Sequence, residues 1–330
     1  MGRLKNKNSI RLHRKILLIT GILFLMTTGI SCYSCASDGS SHVKGDAKWA
    51  GCRSSQYGID PFPSPSGWTT YVNKMKSNYK GSKGALIWIV GGVTEADDKT
   101  PEKYWWNCHL SFPKKDADIA GIPESSLEGI RFSKEDENEE YLTAFDKAGF
   151  DVWLQVESGK CDLEALAQIV MNHYKNHPCV KGFGVDVEWH NPNSQKENNN
   201  GYGTKLTDTL AKKIDTKVKS VNSNYSVFVK HWDSRWLPKT FPSDMIFVND
   251  SQQFGSLEDL KGDFQYWASL YAPNPVFFQI GYEDDKDLWG TLSKPQAKSL
   301  GNLILDGLDT ENQDVGIIWV DFTLTDVGVL

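Results

Sequence analysis

The chain has 330 residues, 36 basic and 42 acidic, for a net charge of −6 at neutral pH. An acidic balance argues against nucleic acid as a partner. Twelve tryptophans are more than a soluble core needs, and they suggest a carbohydrate surface as ligand, because sugar rings stack on aromatic faces.

The first residues read as an export signal. Arg3, Lys5, Lys7, Arg11, Arg14 and Lys15 form a leader without an acid, and the apolar run 16–30 is short for a membrane span. Gly29-Ile30-Ser31-Cys32 resembles a bacterial lipobox, with Gly29 where Leu is usual, so Cys32 is the expected lipidated N-terminus. A plain secretory signal and an uncleaved anchor are the alternatives. Residues 1–31 are then the signal, 32–47 a small polar tether and 48–330 one domain. Six basic and no acidic residues leave with the signal, so the mature chain carries 30 basic against 42 acidic residues, a net −12. Membrane contact is therefore expected through the lipid or anchor alone.

Strand-like runs alternate with helix-like runs along the rest of the chain, the pattern of a parallel α/β fold. Strands are expected at 56–59, 85–90, 151–157, 182–188, 226–231, 245–249, 276–282 and 316–322. Helices are expected at 67–79, 137–148, 163–174, 204–221, 256–270 and 294–308. The connection 234–244 is short and contains proline, so a full helix is not expected there. Eight residues follow the last strand. The fold class expected is α/β, a single (β/α)8 TIM-type barrel lacking its last helix. Residues 91–131, with Trp105, Trp106 and Cys108, and the Asn-rich 189–203 form long loops after strands, on the face where such barrels place their active sites.

The strand at 182–188 carries the strongest signal. Side chains alternate across a strand, so Gly182, Gly184, Asp186 and Glu188 share one face, while Phe183, Val185 and Val187 share the other and read as core. Two acids on one face at a strand's C-terminal end are costly to bury without a task.

Other candidates follow the same alternation. Gln155 and Glu157 run in phase with Trp153 on the third strand and could bind hydroxyls, pair with Lys230 or form a satisfied polar layer. Lys230 faces inward on the fifth strand, and near carboxylates it would lower their pKa values. Gln279 precedes Tyr282 on the seventh strand, Asp321 follows Trp319 by two, and Trp189 follows Glu188 directly. Each is a candidate for substrate contact. His190 and His231 have no metal-ligand company, and no Cys/His cluster indicates a metal. Cys161 and Cys179 flank a helix that holds them about 25 Å apart and should not pair. Cys108 and Cys161 fall in loops of one face and could.

The run Gly182-Phe183-Gly184-Val185-Asp186-Val187-Glu188 resembles the signature strand of family 18 glycoside hydrolases, the chitinases and endo-β-N-acetylglucosaminidases. Gly316-Ile317-Ile318-Trp319 resembles the eighth strand, whose Trp is the sugar-binding floor. The resemblance implies retaining, substrate-assisted hydrolysis of N-acetylhexosamine-containing glycans without a cofactor. Glu188 would be acid/base, and Asp186 would hold the acetamido group and stabilise the charge that develops. Trp319, Asp321, Tyr282, Gln279, Glu157, Gln155, Asn249, Asp250 and Trp189 would line the substrate. Lys181 and Gly184 replace two acids of that family's pattern. Its Tyr-Asp of the sixth strand is absent, and Asn249 or Asp250 would take over part of that role.

Family 25 lysozymes are similar in having an Asp-x-Glu strand end and an opening Gly-Ile-Asp. Gly58-Ile59-Asp60 would then add Asp60 to a peptidoglycan-cleaving site. The other class of reading is a non-catalytic glycan-binding lipoprotein, probed by whether Glu188→Gln still binds sugar. The expectation is a monomeric, cell-envelope or secreted protein whose partner is a carbohydrate.

Overall fold

The computed structural model describes residues 45–55, 57–95, 106–192 and 203–330. The signal, Cys32, most of the tether, Gln56, Trp105 and the bulk of the Asn-rich loop lie outside those residues. Among the described residues no helix is long and apolar enough to cross a membrane.

The chain begins with β1 (Trp49–Ser54), α1 (Pro65–Ser77) and β2 (Lys83–Glu95). An excursion of β3 (Trp106–Leu110), α2 (Asp116–Ile119) and β4 (Ile130–Phe132) follows. Alternation then resumes with α3 (Glu139–Ala148), β5 (Asp151–Val156), α4 (Leu163–Tyr174), β6 (Val180–Asp186), α5 (Asp208–Val221), β7 (Ser226–Lys230) and β8 (Ile246–Asn249). It closes with α6 (Leu257–Tyr271), β9 (Val276–Ile280), α7 (Lys286–Trp289), α8 (Gln296–Leu305) and β10 (Val315–Val320). Helix starts are marked by side-chain caps: Ser64 before α1, Asp162 before α4, Thr207 before α5 and Ser256 before α6 each accept from a first-turn N–H. Gly149 ends α3 in the left-handed region, at φ 68°.

Eight strands, β1, β2 and β5 to β10, run parallel, and β1 pairs with both β2 and β10, which closes a (β/α)8 barrel. Their near-continuous apolar runs reflect burial on both faces. After β10 the described residues form a short 3-10 turn, Asp321–Thr323. The upper half of β2 continues past the barrel, and Gly91–Glu95 pairs antiparallel with β3, which carries β4 in turn.

Two expectations need correction. The first strand is Trp49–Ser54, and residues 57–60 are turn and bend. The barrel needs a strand in register with Lys83–Trp88 and Gly316–Val320 at once, and only 49–54 meets both. The fourth strand ends at Asp186, and Val187–Trp189 is a 3-10 turn, so Glu188 sits on the rim rather than on the strand.

Inside the barrel Trp49, Ala85, Ile87, Trp153, Phe228, Ile246, Val248, Phe277 and Ile318 form one packed cluster. Trp49 meets Trp153 edge-on with centroids 5.6 Å apart. Phe228 packs where a Cβ on Gly184 would lie 2.0 Å from its ring, so the interior has no room for an acid at 184. A larger apolar layer fills the space between strands and helices.

Cys52, Cys108, Cys161 and Cys179 are free and buried. Cys108 and Cys161 do lie together, with the Cys108 N–H 3.3 Å from Cys161 Sγ, but unbridged.

Candidate active site

The interior cluster fixes which residue of each strand points inward. Continuing that alternation to the C-terminal ends places Arg53, Gln155, Glu157, Asp186, Lys230, Asp250 and Gln279 around one mouth. All seven are buried.

Lys230 is the hub. Its Nζ lies 3.1 Å from Asp186 Oδ2 and 3.9 Å from Glu188 Oε1, and it pairs closely with Asp250. Burial works against its charge, but Asp186, Asp250 and Glu188 outweigh that and hold its pKa well above the ordinary value. Asp186 is raised, by burial first and by the Asp250 charge, with Lys230 and Arg53 opposing. Asp250 is lowered: burial acts upward, but the Lys230 ammonium, paired with it, prevails, helped by the nearby His231. Gln155 Nε2 donates to Asp186 Oδ2 at 3.1 Å.

A second group adjoins it. Tyr57 donates to Glu157 Oε1 at 3.1 Å and accepts from Arg53 at 3.2 Å. Burial, then Asp186, pushes the Glu157 carboxyl up to about 7. The Arg53 guanidinium lies about 6 Å from the ring centres of Tyr57 and Phe322, at 5.9 and 6.0 Å. Phe322 also approaches Tyr282, whose hydroxyl donates to Gln279 Oε1 at 3.0 Å. Among the described residues, Asp186 Oδ1, Asp250 Oδ1, Gln155 Oε1, Gln279 Nε2 and Arg53 Nε are buried without a hydrogen-bond partner. Five orphaned polar atoms around one mouth are the complement of a ligand rich in hydroxyl or amide groups.

The structure therefore brings together Asp186, Glu188, Gln155, Glu157, Asp250, Gln279 and Tyr282. Trp189 joins them on the rim, its ring 6.2 Å from Trp106. Trp319 does not. It is fully buried in the layer between strands and helices, packs on Trp289 at 5.3 Å and donates to Thr323 Oγ1 at 2.8 Å, so it is no sugar-binding floor. The inward residue there is Ile318. Asp321, two residues on, is buried and accepts from the Ser55 N–H at 2.7 Å and from its hydroxyl, locking β10's end to β1's. Burial lifts Asp321 to about 6, against Arg53 and Ser55. Asn249 faces outward, donating to Asp263 at 2.9 Å and accepting from the Ser251 N–H at 2.7 Å. Asp60 is exposed in the loop after β1, unlike the seven buried residues of the mouth. His190 is buried against Ser158, and desolvation lowers it to about 4.

Arg53 and Tyr57 escaped the sequence reading. The signal for Arg53 was its i+4 spacing from Trp49 on an alternating strand, hidden by the misplaced first strand.

Fold and site together define a closed (β/α)8 barrel with a carboxylate-rich mouth. No protein-family model and no curated protein matches the chain. Among solved structures, a Bacteroides thetaiotaomicron protein proposed to be an α-L-fucosidase is 11% identical with TM-score 0.41, over 89% of this chain and 91% of that one. A glucosidase from Croceicoccus marinus is 10% identical with TM-score 0.46, over 85% of this chain and 61% of that one. An α-amylase from Geobacillus thermoleovorans in complex with acarbose is 13% identical with TM-score 0.24, over 80% and 54%. Likenesses this distant do not bear on substrate or mechanism.

Proposed function

We propose that the protein is an exported, lipid-anchored glycoside hydrolase that cleaves N-acetylhexosamine-containing glycans with retention, using the substrate's own 2-acetamido group. The observation that carries the reading is the inward Asp186, whose Oδ1 is buried without a hydrogen-bond partner, with Glu188 two residues on at the rim of the same mouth. A general acid must carry its proton at rest, and Glu188 is the carboxyl of this pair that reaches the rim.

In the proposed reaction Glu188 protonates the leaving oxygen while the acetamido oxygen closes on the anomeric carbon. Asp186 Oδ1, without a hydrogen-bond partner, accepts the acetamido N–H and offsets the positive charge of the cyclised intermediate. Glu188, now a carboxylate, takes a proton from the water that reopens the ring. Tyr57, 48% exposed, and the half-buried Phe322 and Trp189 offer aromatic faces to the sugar in place of Trp319. The muramidase reading adds Asp60, exposed in the loop after β1, as a third acid.

A non-catalytic glycan-binding protein is the second reading. The Lys230–Asp186 ion pair at 3.1 Å favours it, because a cation on Asp186 diminishes its power to stabilise another. The test measures product release by the full-length protein from a chitin oligosaccharide, an N-linked glycopeptide and purified peptidoglycan, each beside Glu188→Gln. Cleavage of either of the first two, lost in the variant, supports the hydrolase. Cleavage of peptidoglycan alone points to a lysozyme-like specificity. Binding without cleavage, retained by Glu188→Gln, establishes the binding protein.

A further inference from the structure

The end of the barrel opposite the mouth carries a cluster that this chemistry does not use. His177 and Cys179 flank Pro178 in the short loop between α4 and β6, and Asp146 lies in the last turn of α3. One donor atom from each of the three lies within 4.8 Å of the others. We propose that Asp146, His177 and Cys179 bind a zinc-class divalent cation, with water as the fourth ligand.

The donor set is the first argument. One thiol, one imidazole and one carboxylate suit a borderline-soft ion such as Zn2+, and do not suit Ca2+ or Mg2+, which take oxygen ligands.

The arrangement around His177 is the second. Its Nε2 lies 3.3 Å from Glu139 Oε2, and its Nδ1 lies 2.7 Å from Asp146 Oδ2. In the tautomer whose proton sits on Nε2 and is donated to Glu139, the Nδ1 lone pair faces Asp146, and a metal between these two acceptors would join them. A carboxylate behind the distal nitrogen is also how metal-bound histidines are held. The other Asp146 oxygen is fixed by the Cys179 N–H at 2.7 Å.

Burial is the third. Cys179 is 2% exposed, while the His177 and Asp146 side chains keep 11% and 22% exposure. The site is dry on the sulfur side and open to water on the other. The Cys179 thiol points at the Leu142 carbonyl, 3.6 Å away. Metal binding would release that proton, and the second imidazole proton where present, to solvent. Lys181 opposes the cation, but its ammonium is engaged by the Pro178 carbonyl at 2.6 Å and by Asp151 at 3.7 Å. The bound ion would clip α3 to the start of β6, a stabilising role that suits this face of a barrel.

The test titrates the full-length protein, stripped by dialysis against a chelator, with Zn2+ alone and with Co2+ alone. The expected result is one equivalent bound, a thiolate-to-cobalt charge-transfer band and a melting temperature raised by Zn2+. Cys179→Ser should abolish the band and weaken Zn2+ at least tenfold. Glu139→Gln, which alters an exposed side chain and not a ligand, should weaken it about 10- to 100-fold, and it carries the test if Cys179→Ser does not fold. No stoichiometric binding overturns the proposal. So does a band that survives in Cys179→Ser, or unchanged affinity in Glu139→Gln.

Discussion

Lys230 Nζ stands 3.1 Å from Asp186 Oδ2, with Asp250 hydrogen-bonded on its other side and Glu188 at 3.9 Å. One buried ammonium thus compensates several buried acids. Replacing it with an apolar residue of similar length would leave those acids unpaired in a dry site. Lys230→Met is expected to cost about 3–5 kcal/mol at pH 7. The loss should shrink toward pH 5 as the carboxyls take up protons. Urea unfolding at the two pH values checks this; a variant as stable as the parent at pH 7 would show that the cluster is not held by charge.

Glu157 gives a second pH signature. Its folded value of about 7 lies above the ordinary 4.5, because burial and Asp186 disfavour its charge. A raised carboxyl contributes stability that is fully present below 4.5 and is lost as pH rises through 7. A shift of that size amounts to about 3 kcal/mol at full ionisation. Glu157→Gln keeps an oxygen for the Tyr57 hydroxyl and removes the charge. It should unfold at higher urea than the parent at pH 8, with the stability slope between pH 4.5 and 7 reduced. A parental slope in the variant would assign that titration to another group.

Trp319 separates packing from recognition. Its indole is fully buried against Trp289, and a Cβ on Gly281 would lie 2.1 Å from it. Trp319→Ala should cost about 3–5 kcal/mol through the cavity it leaves. Trp319→Phe should retain the parent's KM or sugar affinity, measured by kinetics or calorimetry. A tenfold loss of affinity in a folded Trp319→Phe would return this residue to the sugar site.

The reading of the strands explains why some residues were legible and others not. On β5, β6 and β7 one face is aliphatic and the other carries Gln155, Asp186 or Lys230, so polar markers fix the phase. On β10 both faces are apolar, Gly316, Ile318 and Val320 alternating with Ile317 and Trp319, and nothing in the composition says which set looks inward. The barrel decides it by placing Ile318 against the interior cluster. The first strand was missed because Trp-Ala-Gly-Cys-Arg-Ser mixes large, small and charged residues; its boundaries follow from pairing on both sides, which is tertiary information. His177 and Cys179 are two residues apart in sequence, but their third partner, Asp146, comes from α3, the helix before α4.

Asp186→Asn tests the proposed chemistry. The amide preserves shape and the contact from Gln155 but removes the negative charge. Turnover should fall about 10²- to 10³-fold, with KM little changed, in steady-state assays on the cleaved substrate. A variant with parental turnover would remove Asp186 from the reaction.

Placing both signs of charge at the bottom of the mouth has a consequence for how the protein responds to its medium. Mobile ions screen exposed charges over a Debye length of about 10 Å at 0.1 M, but they reach buried pairs poorly. Lys230, Asp186 and Asp250 are each 4% exposed or less. The local field at the mouth is therefore set by the protein's own charges, and performance there should stay level across ionic strengths at which the acidic outer surface is fully screened.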